Sequence, residues 1–247
     1  MKAVAEFVMR GRSQAVGLAV AAALIPVPLI QWMAAVIASL VVLRRGLGDG
    51  MFVLIWTIPA FVFAYLWTGS IAPPLVIAVV VAMAYVLRVT SSWELALITS
   101  VVAGVIGTWL FELVSTNLLN EFVDWYRKFL LEMQSQAAAQ NQSAEIFVPE
   151  LEVLRAFALG AMATGIATVS VALLAMARWW QSLLYNPGGF QEEFHQIRLS
   201  PLVAGILVVL VLLSFSIEPL NRLVQVLTVP LLIAGISLMH WTAKVKG

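Results

Sequence analysis

Residues 151–177 read LEVLRAFALGAMATGIATVSVALLAMA, and the only charged side chains in this run, Glu152 and Arg155, stand near its beginning. An α-helix rises about 1.5 Å per residue, so roughly 20 apolar residues cross the hydrocarbon core of a bilayer. The run exceeds this length, and no further charge follows before Arg178. It therefore predicts a transmembrane helix.

The composition of the whole chain places the rest of the sequence in the same class. Its 247 residues are 62% hydrophobic and 11% charged, with a mean hydropathy of +0.98, whereas soluble domains carry about 25% charged residues. The net charge of +1 is spread over segment ends and gives no indication of nucleic-acid binding. The chain has no cysteines, which excludes disulfides and thiolate metal ligands. We expect a single transmembrane domain over residues 1–247.

Further apolar segments predict an all-α polytopic transmembrane helix bundle of about eight membrane segments. They cover residues 14–27, 29–43, 50–67, 74–87, 93–113, 151–177, 201–215 and 223–241. The first two are shorter than a full span and meet at Pro26 and Pro28, which remove backbone donors and favour a bend. The alternative is one long helix from Gln14 to Leu43.

The distribution of positive charge favours the bend. With a bend, one side of the membrane holds Lys2, Arg10, Arg12, Arg44, Arg45, Arg88, Arg178, Arg198, Lys244 and Lys246. The other side holds Arg127, Lys128, Arg155 and Arg222. Cytoplasmic connections carry an excess of Lys and Arg, so both termini are expected in the cytoplasm. A single long helix would put Arg12 and Arg44 on opposite sides.

Residues 114–149 form a long loop on the predicted outer side. Apolar residues recur there at three- and four-residue steps from Leu118 to Met133, with acidic residues on the opposite face. This pattern predicts an amphipathic helix that lies on the membrane surface or caps the bundle. Residues 134–143, QSQAAAQNQS, are typical of a flexible tether.

Small residues recur at four-residue steps in the first segment, at Ala15, Ala19 and Ala23. Such spacing lets a second helix approach closely. This face is therefore either a docking face for another membrane subunit or an ordinary packing face of the same bundle.

Two opposite charges, Glu112 and Arg155, lie near the outer ends of their segments. Charges at membrane depth are costly and are usually paired. We expect either a structural pair at the interface or the mouth of an outward cavity for a small-molecule solute. The histidines, His195 and His240, lack metal-ligand spacing, and no nucleophile motif is present. We therefore expect no enzyme activity, no cofactor and no metal.

The polar run over residues 178–200 interrupts the apolar pattern on the cytoplasmic side. Arg178-Trp179-Trp180-Gln181 suits the membrane interface, where basic and aromatic residues concentrate. Asn186-Pro187-Gly188-Gly189 predicts a sharp turn, followed by a short amphipathic helix. The run is either a lipid-facing connector or an interaction surface for a membrane or cytoplasmic protein. The candidate contacts are Arg178, Trp179, Trp180, Gln181, Asn186, Pro187, Gly188, Gly189, Phe190, Glu193, Phe194 and Arg198.

The same run, RWWQSLLYNPGGFQEEFHQIRLS, resembles the signature of the YybS-like proteins, a family of bacterial inner-membrane proteins. The resemblance implies a location in that membrane and no particular activity. More remotely, such proteins are similar to the S components of energy-coupling-factor vitamin transporters and to the cell-shape scaffold protein MreD. In S components, small residues of the first helix dock the energising subunit, and Ala15, Ala19 and Ala23 match that pattern. The chain departs from S components in having two more segments and no visible vitamin-binding motif.

Two functions follow as hypotheses. The first is a solute-binding or transport subunit with an S-component-like fold. The second is a non-transporting scaffold that recruits a protein partner through residues 178–198. An enzyme acting on lipid would need a convergent polar cluster inside the bundle, and the sequence does not assemble one.

Overall fold

The structure, a computed structural model, describes residues 1–139 and 148–246. These residues form helices joined by short connections, with no strand among them, which confirms the all-α prediction. The helices are α1 (Lys2–Arg10), α2 (Arg12–Leu24), α3 (Pro28–Arg45), α4 (Leu47–Thr68), α5 (Ala72–Thr90), α6 (Trp93–Val114), α7 (Thr116–Ala139), α8 (Leu151–Tyr185), α9 (Gly189–Phe194), α10 (Pro201–Ser214), α11 (Glu218–Asn221) and α12 (Val224–Lys246).

Among the described residues, 6 helices are long and apolar enough to cross a membrane: α3, α4, α5, α6, α8 and α12. The apolar helices α2 and α10 are shorter, with 13 and 14 residues. The second apolar segment is longer than predicted, because α3 begins at Pro28 and continues to Arg45 over 18 residues. Proline suits the first turn of a helix, where no intrahelical partner exists for its missing N–H.

The chain bends back between α2 and α3, as the prolines predict. The side chain of Gln31 donates to the carbonyl of Ala23 across the bend at 3.2 Å. At the far end of the hairpin, Arg45 donates to the carbonyl of Met9 at 2.6 Å. The end of α3 therefore lies beside the start of α2, and the two helices are antiparallel.

Contacts between helix ends give the later helices alternating directions. Arg88 at the end of α5 donates to the carbonyl of Leu43 at 2.6 Å, and Ser115 after α6 donates to the carbonyl of Gly69 after α4 at 2.8 Å. Because the helices alternate in direction, α1 and the end of α12 lie at the same end of the bundle. We call it the basic end, because it carries Arg12, Arg44, Arg45, Arg88, Arg178 and Arg198.

Helix α3 is the centre of the bundle. Every residue from 34 to 43 is buried, with α2, α4, α5 and α8 packed around it. Alanines at positions 34, 35 and 38 allow these neighbours to come close. The interior around α3 is thus filled by side chains of this chain.

The helix predicted in the long loop is α7. Leu119 and Val123 pack against Leu154 and Ala158 of α8, whereas Trp125 on the other face is 60% exposed. The predicted tether begins as helix, since α7 continues to Ala139. Its remaining residues, 140–143, lie outside the described residues.

Candidate interaction surface at the basic end

Helix α8 contains the first part of the polar run. Its 35 residues measure about 50 Å at 1.5 Å each, against a hydrocarbon core of about 30 Å. The predicted segment ends at Ala177, but the helix continues through Arg178-Trp179-Trp180-Gln181 to Tyr185. No helix-breaking residue occurs before Asn186-Pro187, so the first eight residues of the predicted connector, 178–185, belong to α8.

The turn after α8 is fixed by the hydroxyl of one buried serine. Ser182 Oγ donates to the carbonyl of Asn186 at 2.7 Å and accepts the N–H of Phe190 at 3.2 Å. Gly188 has a φ of 89°, in the left-handed region where residues with a Cβ are disfavoured. The two glycines of Asn186-Pro187-Gly188-Gly189 therefore stand where the backbone reverses into α9.

Glu193 joins this turn to the bundle. Its carboxylate accepts Arg178 Nε at 2.8 Å and Arg178 Nη2 at 2.7 Å, and it also accepts Trp93 Nε1 of α6 at 2.6 Å. Arg178 Nη1 donates in addition to Gln181 Oε1 at 2.5 Å. Charge-assisted bonds of this kind are the stronger ones in proteins. Arg178, Gln181 and Glu193 thus bind one another and position α9.

The aromatic residues of the run do not share one surface. Trp180 is fully buried at 0% exposure, and Trp179 is 39% exposed. The prediction that Trp180 belongs to an exposed interaction surface is wrong. It continues a buried helical stripe through Leu173, Leu174 and Ala177, and that spacing could have revealed its burial. Phe190 and Phe194 also pack against the main core.

The longest exposed stretch of the run is the turn itself. Residues 185–188 are all exposed, as are Gln191 and Glu192 on α9. The guanidinium of Arg44 lies over the ring of Tyr185, 4.2 Å from its centroid. We call this group the turn surface; it consists of Arg44, Tyr185, Asn186, Pro187, Gly188, Gln191 and Glu192. Arg44, Tyr185, Gln191 and Glu192 were not predicted as contacts, although Gln191 and Glu192 fall on the polar face of the predicted amphipathic helix, opposite Phe190 and Phe194.

Arg198 lies beside two cavities that the turn surface does not line. One, of about 530 Å³, includes Ser91, Glu94 and Gln196. Glu94 is engaged there, because its carboxylate accepts the backbone N–H and the hydroxyl of Ser200 at the start of α10. Ser91 has a φ of 53° and is the one non-glycine residue of the described chain with a positive φ. The other cavity, of about 600 Å³, lies between α10 and α12.

Two histidines meet at the same end. His195 Nε2 lies 2.7 Å from His240 Nδ1, and Ser237 of α12 donates to the carbonyl of Phe194 at 2.6 Å. Partial burial, and then the nearby His240 and Lys244, lower the pKa of His195 below its usual 6.5. This pair could not be predicted from the sequence, because 45 positions separate its members.

The alanine face of α2 is closed by the bundle. Ala15, Ala19 and Ala23 are 1%, 0% and 0% exposed, and α2 packs on α3 and α4. Of the two alternatives for this face, packing within the chain is the one observed. A second subunit has no access to these alanines.

Glu112 and Arg155 form the pair expected at the opposite end. Arg155 Nη2 lies 3.2 Å from Glu112 Oε1, and Arg155 Nη1 donates to Asn120 of α7 at 2.9 Å. Neither residue lines any of the cavities described above or the cavity of about 520 Å³ beside Arg222. The pair joins α6, α7 and α8, as the structural alternative proposed.

The fold and the surface together define an all-helical, multi-pass membrane protein with a structured polar end. Within the described residues, no group of three or more His, Cys, Asp or Glu could hold a metal ion. Comparison of the chain with protein-family models, with curated proteins and with solved structures found no match.

Proposed function

We propose that this chain is a scaffold of the bacterial inner membrane that recruits a protein partner through the turn surface. In this proposal eight apolar helices enter the membrane, both termini are cytoplasmic and the basic end faces the cytoplasm. The positive-inside rule supports that orientation, since Arg44, Arg88 and Arg178 lie at one end. The resemblance of residues 178–200 to the YybS-like proteins supports the choice of membrane.

The observation that carries the proposal is an exposed turn held in one conformation by buried contacts. The Ser182 hydroxyl is hydrogen-bonded to the backbone of Asn186 and of Phe190, and Glu193 anchors α9 to Arg178 and Trp93. Surface residues that are already ordered lose less conformational entropy when a partner binds. Tyr185, with the Arg44 guanidinium on its ring, supplies the aromatic and Arg pairing that is enriched at binding hot spots.

The solute-binding alternative draws less support from the geometry. A cavity of about 310 Å³ lies among the early segments, between α4 and α5, but none of its lining residues is charged, and neither Glu112 nor Arg155 lines it. Glu112 and Arg155 satisfy each other and Asn120, which leaves their hydrogen-bonding groups engaged. The cavities at the basic end lie on the side where a partner or lipid, rather than an external solute, would arrive.

Site-specific photo-crosslinking in living cells tests the proposal. A photoreactive amino acid at Gln191 samples the turn surface, and the same group at the exposed Glu152 samples the opposite end. We expect a discrete protein adduct from Gln191 and a different pattern from Glu152. Glu192→Lys should remove the Gln191 adduct, whereas Glu121→Lys, an equal charge change on exposed α7, should leave it. Loss in both variants, or no discrete adduct from Gln191, would contradict recruitment through this surface.

A further inference from the structure

A cleft separates α10 from α12 at the surface of the bundle. It has a volume of about 600 Å³ and is lined by Ala204 of α10 and by Leu231, Ala234, Gly235 and Leu238 of α12. A Cβ added to Gly235 would meet no atom within 4 Å. The small residues thus leave an apolar space open, beside a Leu238 that is 60% exposed.

The rim of this cleft at the basic end is cationic. Arg198 and His195 line the same cavity, and Arg198 is exposed. His240 contacts His195, and Lys244 stands one turn beyond His240 on α12. Trp241, which also lines the cleft and is 46% exposed, suits the headgroup level, where tryptophan is enriched.

Among the described residues, the nearby carboxylates form no ion pair with Arg198. Glu94 is bound by the N–H and hydroxyl of Ser200. Glu193 is bound by Arg178 and Trp93. The charge of Arg198 therefore remains available to a ligand at the mouth of the cleft.

We propose that the cleft binds one anionic phospholipid of the adjoining leaflet, with an acyl chain beside Gly235 and the phosphate at Arg198 and Lys244. Basic pockets at the cytoplasmic ends of transmembrane helices recognise anionic headgroups, and the apolar space lies directly below this rim. A zwitterionic lipid would bring its own ammonium group towards the cations Arg198 and Lys244. The site therefore favours a phosphatidylglycerol-type headgroup over phosphatidylethanolamine.

Native mass spectrometry of the full chain in detergent tests the site, with phosphatidylglycerol or phosphatidylethanolamine added at equal concentration. We expect a first phosphatidylglycerol to be retained more strongly than a first phosphatidylethanolamine. Arg198→Gln should weaken phosphatidylglycerol retention about five-fold, since one interfacial cation contributes about 1 kcal/mol. Arg10→Gln removes an equal charge from exposed α1 at the same end and should have little effect.

The apolar half of the site has its own matched pair of variants. Gly235→Leu fills the cleft and should reduce retention of both lipids. Gly205→Leu places the same side chain on α10, also in open space but outside the cleft lining, and should not. Equal retention of the two lipids by the wild type, or matched variants that behave alike, would overturn the proposal. Neither glycine belongs to the turn surface, so photo-crosslinking from Gln191 should persist in Gly235→Leu, and either proposal can fail alone.

Discussion

Replacing Glu193 by Gln tests whether the ion pair with Arg178 holds the turn and α9 in place. The change keeps the shape of the side chain but removes the charge that Arg178 and Trp93 share. A fully buried pair broken on one side costs about 3–5 kcal/mol, and an exposed pair contributes about 0–1 kcal/mol. The side chains of Arg178 and Glu193 are 32% and 25% exposed, so we expect an intermediate loss of about 2 kcal/mol by these bounds.

This loss should be local, because Glu193 contacts the bundle through the turn segment. Local opening is measured by hydrogen–deuterium exchange, and a loss of about 2 kcal/mol corresponds to roughly 30-fold faster exchange in peptides covering residues 186–197. Peptides from the buried centre of α3 should exchange at the wild-type rate.

The neighbouring Glu192→Gln is the matched control, because it makes the same chemical change at an exposed position. It should leave exchange over residues 186–197 close to that of the wild type. If Glu192→Gln and Glu193→Gln accelerate exchange equally, or if neither does, the turn is not held by the Arg178–Glu193 pair.

Three further changes test other parts of the structure. Trp180→Ala should lower the free energy of unfolding by about 3–5 kcal/mol because it empties a fully buried site. Trp179→Ala, at a partly exposed position, should lower it by about 1 kcal/mol. Denaturation in detergent measures both values, and equal losses would contradict the orientation of α8. Ser91→Gly should raise the free energy of unfolding by about 0.5–1 kcal/mol in the same assay, since a left-handed conformation strains any residue with a Cβ. Because the fold lowers the pKa of His195 below 6.5, the unfolded chain binds more protons just below that pH, so the melting temperature should fall as pH drops through 6.5. His195→Asn should reduce that fall, and an unchanged pH dependence would contradict the lowered pKa of His195.

The class of fold could be predicted because local features of the sequence determine it. Uncharged apolar runs require helices in a membrane, Pro26 and Pro28 end one helix and begin another, and Asn186-Pro187-Gly188-Gly189 reverses the chain after α8. These features act through neighbouring residues, so they can be read along the chain. The charged ends also followed from the sequence, because Arg44, Arg88 and Arg178 each follow an apolar run.

The roles of individual side chains depended on contacts between distant residues. Glu193 binds Trp93, 100 positions earlier, and no spacing rule indicates such a partner. Trp180 is an exception, because its helical spacing from Leu173 and Ala177 already indicated which of the two adjacent tryptophans is buried. Ala15, Ala19 and Ala23 fit a docking face and a packing face equally well until α3 and α4 are placed against them. Arg198 lines the cleft between α10 and α12, and its place there could not be predicted without knowing that these two helices lie side by side.

The proposed function requires that the basic end, with its turn surface, faces the cytoplasm. The chain has no cysteines, so a single cysteine at Asn186 or at Glu152 can be labelled without further changes, using a membrane-impermeant maleimide on intact spheroplasts. We expect Asn186→Cys to be labelled only after the membrane is permeabilised and Glu152→Cys to be labelled before. Labelling of Asn186→Cys in intact spheroplasts, with protection of Glu152→Cys, would contradict this orientation.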